Sequence, residues 1–186
     1  GGVAGLAAAL HLADSARVTV LAKGEPASGS SFWAQGGIAA VLDDADCFAF
    51  HEADTVKAGA DLCDIETVRL MVREAPDVVR ELSKWGVDFD KENNQLHLTM
   101  EGGHSHRRVA HVADATGREI TQKLSERVLD HHNIEIFHDR MAIDLINLNK
   151  VNGYPSACAG AHVLNTTTDR VEVFQAKAVV IATGGA

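Results

Sequence analysis

The chain begins with a cluster of glycines of the kind that lets a backbone approach a phosphate group. Gly1-Gly2-Val3-Ala4-Gly5 leads into a run rich in alanine and leucine. This run fits the end of a G-x-G-x-x-G fingerprint, with Gly2 and Gly5 as its second and third glycines. In that motif, N–H groups and the positive end of a helix dipole face a pyrophosphate. Because glycines also open helices for structural reasons alone, the motif by itself leaves dinucleotide binding and a structural turn both open.

A second indication comes from the other end of the sequence. The fingerprint expects an acidic residue after the second strand, but residues 21–23 read LAK. Either the backbone and Lys23 hold the ribose, or the dinucleotide interpretation is wrong. Residues 178–185 read AVVIATGG, an apolar strand that runs into Thr183 and Gly184, and many flavoproteins bring such a segment back to the nucleotide. Together the two ends of the chain favour FAD as the cofactor.

The third segment whose residues could bind a cofactor is a loop that carries two aromatic residues and two adjacent glycines. Its residues are Ser30, Ser31, Phe32, Trp33, Ala34, Gln35, Gly36 and Gly37. The adjacent glycines permit positive φ and a close approach to a flat ring system. We expect Phe32 and Trp33 to be buried, because large aromatic side chains in loops are rarely left in water. The alternative is a surface loop with a glycine turn.

A single carboxylate, that of Glu101, lies before two glycines and could accept hydrogen bonds from an ammonium group. Taken alone, such a residue is more often solvated. Four basic residues follow it, namely His104, His106, Arg107 and Arg108. Some of them could attract a dicarboxylate, although a solvated or cofactor-side position is equally open. His131 and His132 are predicted to end a helix, where histidine favours the C-terminal dipole, and we interpret them as structural and not as a metal pair.

Charge and cysteine content exclude several classes of function. The 17 Lys and Arg against 26 Asp and Glu give a formal net charge of −9 over 186 residues. No basic stripe runs along the chain, so we expect no nucleic-acid partner. The three cysteines are far apart and form no C-x-x-C pair, which argues against a zinc site or disulfides and indicates a reducing cytoplasm. No apolar run reaches the roughly 20 residues that span a bilayer.

The elements that must position these residues follow from the spacing of apolar positions. Helices are predicted over residues 5–13, 47–60, 64–85 and from 116 onward. Strands are predicted over residues 18–21, 87–89, 95–98, 134–137, 141–148, 157–164, 171–174 and 178–182. Thr116 and Glu119 form a capping box, Pro76 predicts a break or kink, and Gly86 predicts a helix C-cap. A turn at Asn152-Gly153 makes the strands between 140 and 176 a small meander.

This order of elements predicts an α/β fold, namely a Rossmann-like parallel sheet with helices and an inserted antiparallel meander. The fingerprint needs a strand before Gly1. We therefore expect residues 1–186 to be a partial FAD-binding domain, truncated at both ends, with its first strand and everything after the ATGG segment outside this sequence. Such a piece is not expected to fold cooperatively alone, because its strand edges lack partners.

Beyond these signals, the sequence resembles a known family. The segments AQGGIAAVLDD, HEADTVKAGADLCD, GVDFD and HLTMEGGHSHRRVAHVADATGRE look like successive blocks of the L-aspartate oxidase family, in the family's order and over almost the whole chain. That family belongs with the flavoprotein subunits of succinate dehydrogenase and fumarate reductase. The resemblance implies oxidation of L-aspartate to iminoaspartate, the first step of NAD biosynthesis through quinolinate. It further implies O2 or fumarate as electron acceptor and quinolinate synthase as an expected partner.

The resemblance also implies roles for individual residues. Gly1 to Ala4 would line the FAD pyrophosphate, and Lys23 would lie by the adenosine ribose. Ser30 to Gly37 would run along the isoalloxazine ring, Ala142 would touch the adenine through its backbone, and Thr183 with Gly184 would return to the cofactor. Glu101 would hold the amino group of the substrate. The family's catalytic arginine is expected after residue 186.

Ser30 separates this family from its respiratory relatives. In those relatives the matching position is a histidine bonded covalently to the flavin, and serine cannot form that bond. FAD is therefore expected to bind non-covalently. Ser30 and Glu101 both favour the oxidase over the nearest alternative, a fumarate reductase or succinate dehydrogenase flavoprotein subunit. A nucleotide-binding module without redox activity is the alternative from another class.

Overall fold

The structure, a computed structural model, describes residues 1–25, 29–150 and 157–184. It forms two compact units, one made of residues 1–32 with 124–186 and the other of residues 33–123. In chain order the elements are α1 (Val3–Ala13), β1 (Val18–Leu21), β2 (Ile38–Ala39), α2 (Phe48–Ala58), α3 (Ile65–Lys84), β3 (Lys91–Glu92), β4 (Gln95–Leu96), β5 (Leu98–Thr99), β6 (Val109–Ala110), α4 (Thr116–Asp130), β7 (Ile134–Phe137), β8 (Arg140–Asn147), β9 (Cys158–Asn165) and β10 (Arg170–Gln175), with short 3-10 helices at Ser30–Trp33 and Leu148–Lys150.

In the first unit, α1 packs on a parallel pair of strands. β1 and β7 pair in parallel, which confirms the predicted α/β arrangement. Helix α1 buries a narrow face of small and medium side chains, Leu6, Ala9 and Ala13, so its backbone can lie close to β1. The side-chain amide of Asn133 donates to the carbonyl of Ala13 at 2.9 Å. This bond ties the end of α1 to the start of β7.

The predicted meander is confirmed in the same unit. β8, β9 and β10 form an antiparallel sheet in the order β10-β9-β8. Gly160 in β9 has φ +141°, and a Cβ there would overlap the carbonyl oxygen of Phe174 in β10. A side chain at this position would therefore push the two strands apart. The predicted turn at Asn152-Gly153 lies outside the described residues.

The second unit contains the long helix α3, which packs against α2. The predicted three- and four-residue spacing is confirmed, because the buried positions of α3 are Val68, Val72, Pro76, Val79 and Leu82. Asp64 caps the helix by accepting a hydrogen bond from the Thr67 amide at 2.8 Å. The break predicted at Pro76 does not occur, since α3 runs unbroken from Ile65 to Lys84, and the alternative of a kink there stays a prediction. Proline removes one helical hydrogen bond, but its ring lies on the buried face and the helix continues through it.

The end of α3 follows the prediction for Gly86. This glycine has φ +100°, its N–H donates to the carbonyl of Ser83 at 3.1 Å, and the N–H of Val87 donates to the carbonyl of Leu82 at 3.0 Å. These two bonds make a Schellman cap. The strand predicted at 87–89 is absent from these described residues, because Val87 uses its N–H to close the helix. Val87 and Phe89 belong to the core instead, at 3% and 2% exposure.

Short strands complete the second unit. β2, β6 and β5 form a three-stranded antiparallel sheet in that order, and β3 pairs with β4 in a separate hairpin. Helix α4 begins at Thr116 as predicted, but not through a capping box. The Thr116 hydroxyl accepts from the amide of Val112 at 2.9 Å, and the amide of Glu119 donates to the carbonyl of Ala115 at 3.0 Å. The Thr116 hydroxyl thus stabilises the loop before α4 and does not cap the first turn of the helix.

The apolar segment 178–182 is not a strand. A strand is defined by its ladder of hydrogen bonds, and no described strand pairs with this segment. Val180 and Ile181 consequently remain 59% and 67% exposed. Among the described residues, no helix combines the length and the apolar character needed to cross a membrane.

Candidate functional site

The helix opening of the first unit has the features of a phosphate cradle. Gly2 is the N-cap of α1 in an extended conformation with no side-chain cap, and the first N–H groups of a helix have no partner within it. The Val3 amide donates to the Ser31 hydroxyl at 3.3 Å. A Cβ on Gly2 would lie 3.3 Å from Ser31 Oγ, and one on Gly1 would lie 3.3 Å from the Cβ of Ala22. Both positions therefore favour glycine.

The end of β1 carries Ala22, whose backbone is hydrogen-bonded within the sheet, and then a lysine. The N–H of Ala22 donates to the carbonyl of Phe137, and its carbonyl accepts from the amide of Arg140, each at 2.9 Å. Both backbone groups of Ala22 therefore form hydrogen bonds with neighbouring strands, and its carbonyl oxygen keeps a second lone pair. Lys23 follows with an exposed side chain, which makes it the charged group at this strand end.

Residues 178–184 are predicted to return to the cofactor, and Ala142 is predicted to contact the adenine. The two lie in different parts of the first unit. The Cβ of Ala182 lies 3.6 Å from the position of a Cβ on Gly5, so the structure brings this segment beside the start of α1. Gly184 has φ +79°, a backbone conformation that favours glycine. Ala142 lies on β8 opposite Val163 of β9, and its side chain is exposed.

The loop with the aromatic pair begins as a 3-10 helix over Ser30–Trp33. Phe32 is half-buried. The prediction that Trp33 is buried is wrong for the described residues, since its side chain is 65% exposed.

The two glycines of this loop act by close approach and not by positive φ. Neither Gly36 nor Gly37 has a positive φ, which corrects the conformational part of the prediction. A Cβ on Gly37 would overlap the carbonyl oxygen of Ala110 and lie 2.6 Å from Cγ1 of Val109. A Cβ on Gly36 would lie 3.7 and 3.9 Å from the two carboxylate oxygens of Glu101. The predicted substrate residue is therefore beside the predicted ring segment.

Glu101 lies in a turn at the tip of the β5–β6 connection. The amide of His104 donates to the carbonyl of Glu101 at 3.2 Å, and Gly103 within the turn has φ +88°. Glu101 itself is exposed. An exposed carboxylate on a defined turn can bind a cationic group with little reorganisation.

The structure assigns Arg108 a position that the sequence left open. Its side chain is fully buried, with 0% exposure. Nε and Nη2 donate to the two carboxylate oxygens of Asp46 at 2.7 and 2.8 Å, and Nη1 donates to Oδ2 of Asp54 at 2.7 Å. The same oxygen of Asp54 accepts from the Ser105 amide and hydroxyl, each at 2.7 Å. Arg108 and the two aspartates thus fasten the Glu101 loop to α2 and the residues before it.

This buried network is charged at neutral pH. Burial alone would raise the pKa of Asp54, but hydrogen bonds from Ser105 and Arg108 outweigh it and lower that pKa to about 2. The pKa of Asp46 is also lowered, because the bidentate bond from Arg108 overcomes its burial. The pKa of the Arg108 guanidinium is raised, since the two aspartates outweigh the opposite effect of burial. Three full charges therefore lie in the interior of this unit.

Histidine rings surround the network. The ring of His51 is buried and meets that of His104 edge-on at a centroid distance of 5.9 Å. Burial and the positive charge of Arg108 lower the pKa of His51. His106 stacks on Phe50 at 4.8 Å. Asp46, Asp54 and His51 were not identified from the sequence, and no local pattern could have found them, because Arg108 lies 62 and 54 positions from its two aspartates.

His131 and His132 stack on each other with centroids 5.1 Å apart. Within the described residues, no group of three or more histidine, cysteine, aspartate or glutamate side chains is placed to hold a metal ion. Helix α4 ends at Asp130, so the two histidines follow it directly, and their structural role stays a prediction.

Comparison with known proteins assigns the chain to a family. The model of the FAD binding domain family matches residues 1–186, the whole chain. The chain belongs to the FAD-binding domain family. This agrees with the glycine-opened helix and the parallel strand pair of the first unit.

Two individual relatives show a more specific similarity than the family model does. The L-aspartate oxidase of Vibrio cholerae is 45% identical over 191 residues, which cover 100% of this chain and 36% of that protein. The chloroplastic L-aspartate oxidase of Arabidopsis thaliana is 46% identical over 186 residues, covering 100% of this chain and 28% of that protein. The chain therefore spans about a third of the length of these relatives.

Solved structures show the same fold. A variant of E. coli quinol fumarate reductase FrdA matches with a TM-score of 0.89 and 30% identity, covering 100% of this chain and 31% of the other. Mycobacterium smegmatis Sdh1 matches with a TM-score of 0.88 and 31% identity, covering 99% and 33%. The identity to these two proteins, 30% and 31%, is lower than the 45% and 46% found with the two proteins named L-aspartate oxidase.

The residues at the start of α1 fit the cofactor that the family name implies. Side chains are absent at Gly1 and Gly2, where even a Cβ would crowd its neighbours, and the first-turn amides face outward from the helix end. Lys23 lies at the adjoining strand end and has an exposed side chain. Such a backbone surface suits the two negative charges of a pyrophosphate.

Proposed function

We propose that the full-length protein is a flavoenzyme that oxidises L-aspartate to iminoaspartate. The observation that carries this proposal is the position of the Glu101 carboxylate, 3.7 Å from a Cβ on Gly36. Gly36 lies in the segment proposed to follow the flavin ring, so a cation held by Glu101 would be near that ring. The 45% identity to a protein named L-aspartate oxidase supports the same substrate.

The residues that would hold FAD are proposed as follows. Gly1, Gly2, Val3 and Ala4 would donate backbone hydrogen bonds to the pyrophosphate, and Lys23 would lie by the ribose. Residues 30–37 would run along the isoalloxazine ring, Ala142 would lie by the adenine, and Thr183 with Gly184 would complete the nucleotide side. When bound, the flavin supplies the two-electron acceptor for the α C–H bond of the substrate.

The chain's own contribution is to bind and orient the amino acid. The Glu101 carboxylate would accept hydrogen bonds from the α-ammonium group, which fixes that end of the substrate and offsets its charge. The turn closed by the His104 amide holds Glu101 in place. A dicarboxylate without an amino group has nothing for Glu101 to bind. Glu101 therefore favours an amino acid over succinate.

A fumarate reductase or succinate dehydrogenase flavoprotein remains the second candidate, because solved members share the fold with TM-scores of 0.89 and 0.88. Ser30 opposes it, since serine cannot carry the covalent flavin bond expected there. We propose non-covalent FAD, with O2 or fumarate as the electron acceptor. A cytoplasmic location and an association with quinolinate synthase belong to the same proposal, through the proposed role in NAD biosynthesis.

The test is the Glu101→Gln substitution in the full-length protein. Glutamine keeps the shape and one acceptor oxygen but removes the charge, so kcat/KM for L-aspartate should fall roughly ten- to hundredfold. Succinate carries no ammonium group, and its affinity, measured from the change in flavin absorbance on titration, should stay close to that of the wild type. The decisive quantity is the ratio of the two effects.

Gly102→Ala is the matched control on the same turn. A Cβ there meets nothing within 4 Å, so this variant should oxidise L-aspartate like the wild type. Equal losses for aspartate and succinate in Glu101→Gln would show that Glu101 only shapes the loop. A wild-type protein that binds flavin but does not oxidise L-aspartate would refute the proposed function.

A further inference from the structure

Arg108 is not available as a carboxylate ligand. Its guanidinium has 0% exposure, and its Nε, Nη1 and Nη2 atoms all donate to Asp46 or Asp54. If the loop recognises a carboxylate of the substrate, the donor must be another residue. Arg108 can act only through a neighbour.

That neighbour is His104. Nη1 of Arg108 also lies 3.4 Å from Nδ1 of His104 in hydrogen-bonding geometry. Arginine has donors only, so Nδ1 of His104 must be the acceptor in this contact. The ring proton is therefore on Nε2. The contact with Arg108 fixes one tautomer of His104, with an N–H at the far side of the ring.

The Nε2 atom of His104 is unengaged in the part of the chain that the structure describes, where no hydrogen bond or ion pair reaches it. The ring is half-buried and is held edge-on by His51. Its backbone amide closes the turn that begins at Glu101, at 3.2 Å. One turn thus carries an anionic acceptor at Glu101 and a neutral donor at His104.

We propose that the Nε2–H group of His104 binds a carboxylate of the substrate, and that Arg108 is the positioning residue that fixes this tautomer. The pair matches an amino acid, whose ammonium group requires an acceptor and whose carboxylates require donors. The inference rests on the proposed function, because it names the contacts that the same substrate makes. The two roles can be distinguished, because His104 would bind a carboxylate of any dicarboxylate, whereas Glu101 would bind only an ammonium group.

Two substitutions of His104 test whether a hydrogen-bond donor at the Nε2 position is needed, or the imidazole ring itself. The side-chain amide nitrogen of glutamine reaches about as far as Nε2 of histidine, whereas that of asparagine reaches only about as far as Nδ1. In the full-length flavin-loaded protein, His104→Asn should raise the Kd for succinate about tenfold or more, and His104→Gln should raise it less than about threefold. Succinate binding is read from flavin absorbance and calorimetry, so no turnover is needed.

The outcomes are exclusive. Equal losses in the two variants, or no loss in either, would overturn the proposal, since both results would mean that the Nε2 donor is not used. L-aspartate could fail as a substrate while His104→Gln still binds succinate more tightly than His104→Asn does. The proposed function would then be refuted, and the inference about His104 would stand. Glu101→Gln should leave the Kd for succinate almost unchanged, which keeps the two roles apart.

A spectroscopic test addresses Arg108 without relying on a variant of that buried residue. Selective 15N labelling of histidine in the wild-type protein reports the tautomer of each ring, and the His104 signals are those missing from His104→Gln. We expect the Nε2–H tautomer for His104. A spectrum with the proton on Nδ1 would exclude acceptance from Arg108 and would refute the positioning role.

Discussion

The buried arginine gives the sharpest quantitative prediction. Replacing Arg108 with methionine keeps most of the apolar length of the side chain but removes the guanidinium that donates hydrogen bonds to both buried carboxylates. The side chain of Asp46 is 1% exposed and that of Asp54 is 16% exposed. Neither carboxylate can regain full hydration without movement of the loop that carries Glu101.

The magnitude follows from the cost of leaving a buried charge without its partner. Breaking a buried ion pair by removing one member costs about 3–5 kcal/mol, which is a large fraction of the roughly 5–15 kcal/mol that stabilises a typical domain. We therefore expect the free energy of unfolding to fall by about 3 kcal/mol or more. Arg107→Met is the matched control, because Arg107 is exposed on the same loop and should change stability by less than about 0.5 kcal/mol.

Acid titration offers a second measurement of the same network. The pKa of Asp54 is lowered from 3.8 to about 2 in the folded protein, so on acidification the unfolded chain takes up its proton first. The contribution to stability is present in full above about pH 5 and is lost as the pH falls through about 2. The difference in pKa corresponds to about 2 kcal/mol. This acid-dependent part should be smaller in Arg108→Met but should persist in part, because the two hydrogen bonds from Ser105 to Asp54 remain.

The assay is urea unfolding of the full-length protein at pH 7 and at several lower pH values, followed by circular dichroism. Arg108→Met should unfold at a lower urea concentration than both the wild type and Arg107→Met. A loss below about 1 kcal/mol at pH 7 would show that the aspartates are stabilised by other groups. Arg108 would then not be the residue that stabilises the two buried carboxylates.

Two further predictions concern the proposed flavin segment. Because Ser30 cannot carry a covalent bond, acid precipitation of the full-length protein should release all of its flavin into the supernatant, and flavin fluorescence in the protein band of a denaturing gel would contradict this. Gly37→Ala should destabilise the protein by about 1–3 kcal/mol, since its Cβ would overlap the carbonyl of Ala110. Gly102→Ala, whose Cβ meets nothing within 4 Å, should be neutral, and an equal effect of the two substitutions on the urea midpoint would refute the steric argument.

Most of the fold could be predicted from local patterns. The three- and four-residue spacing in α3 and the sequence around Gly86 specify that helix and its cap, because both depend on residues close in sequence. The meander was predictable for the same reason. The segment 178–182 shows the limit of local reasoning. Its composition favours a strand, but a strand forms only where a neighbour supplies hydrogen bonds, and composition does not reveal the neighbour.

The candidate site also combines residues that could be predicted from the sequence with residues that could not. Glycine positions such as Gly2 and Gly37 could be found from the sequence, although the reason for Gly37 is the nearby carbonyl of Ala110 and not a positive φ. The role of Arg108 could not be found. Its position beside three other basic residues favours a solvated or ligand-binding role, and only the fold brings Asp46 and Asp54 to it across 62 and 54 positions.

The discontinuity of the first compact unit has a consequence for how the protein is made. Its strand β1 pairs with β7, and its closing bond joins Asn133 to Ala13 over 120 positions. A ribosome adds about 5–20 residues per second, so β1 waits on the order of ten seconds for β7 to be synthesised. All of residues 33–123 are synthesised within that interval. The high contact order of this pairing makes it a slow step. Until β7 has been synthesised, the edge of β1 lacks this partner, and unpaired strand edges are prone to wrong pairing.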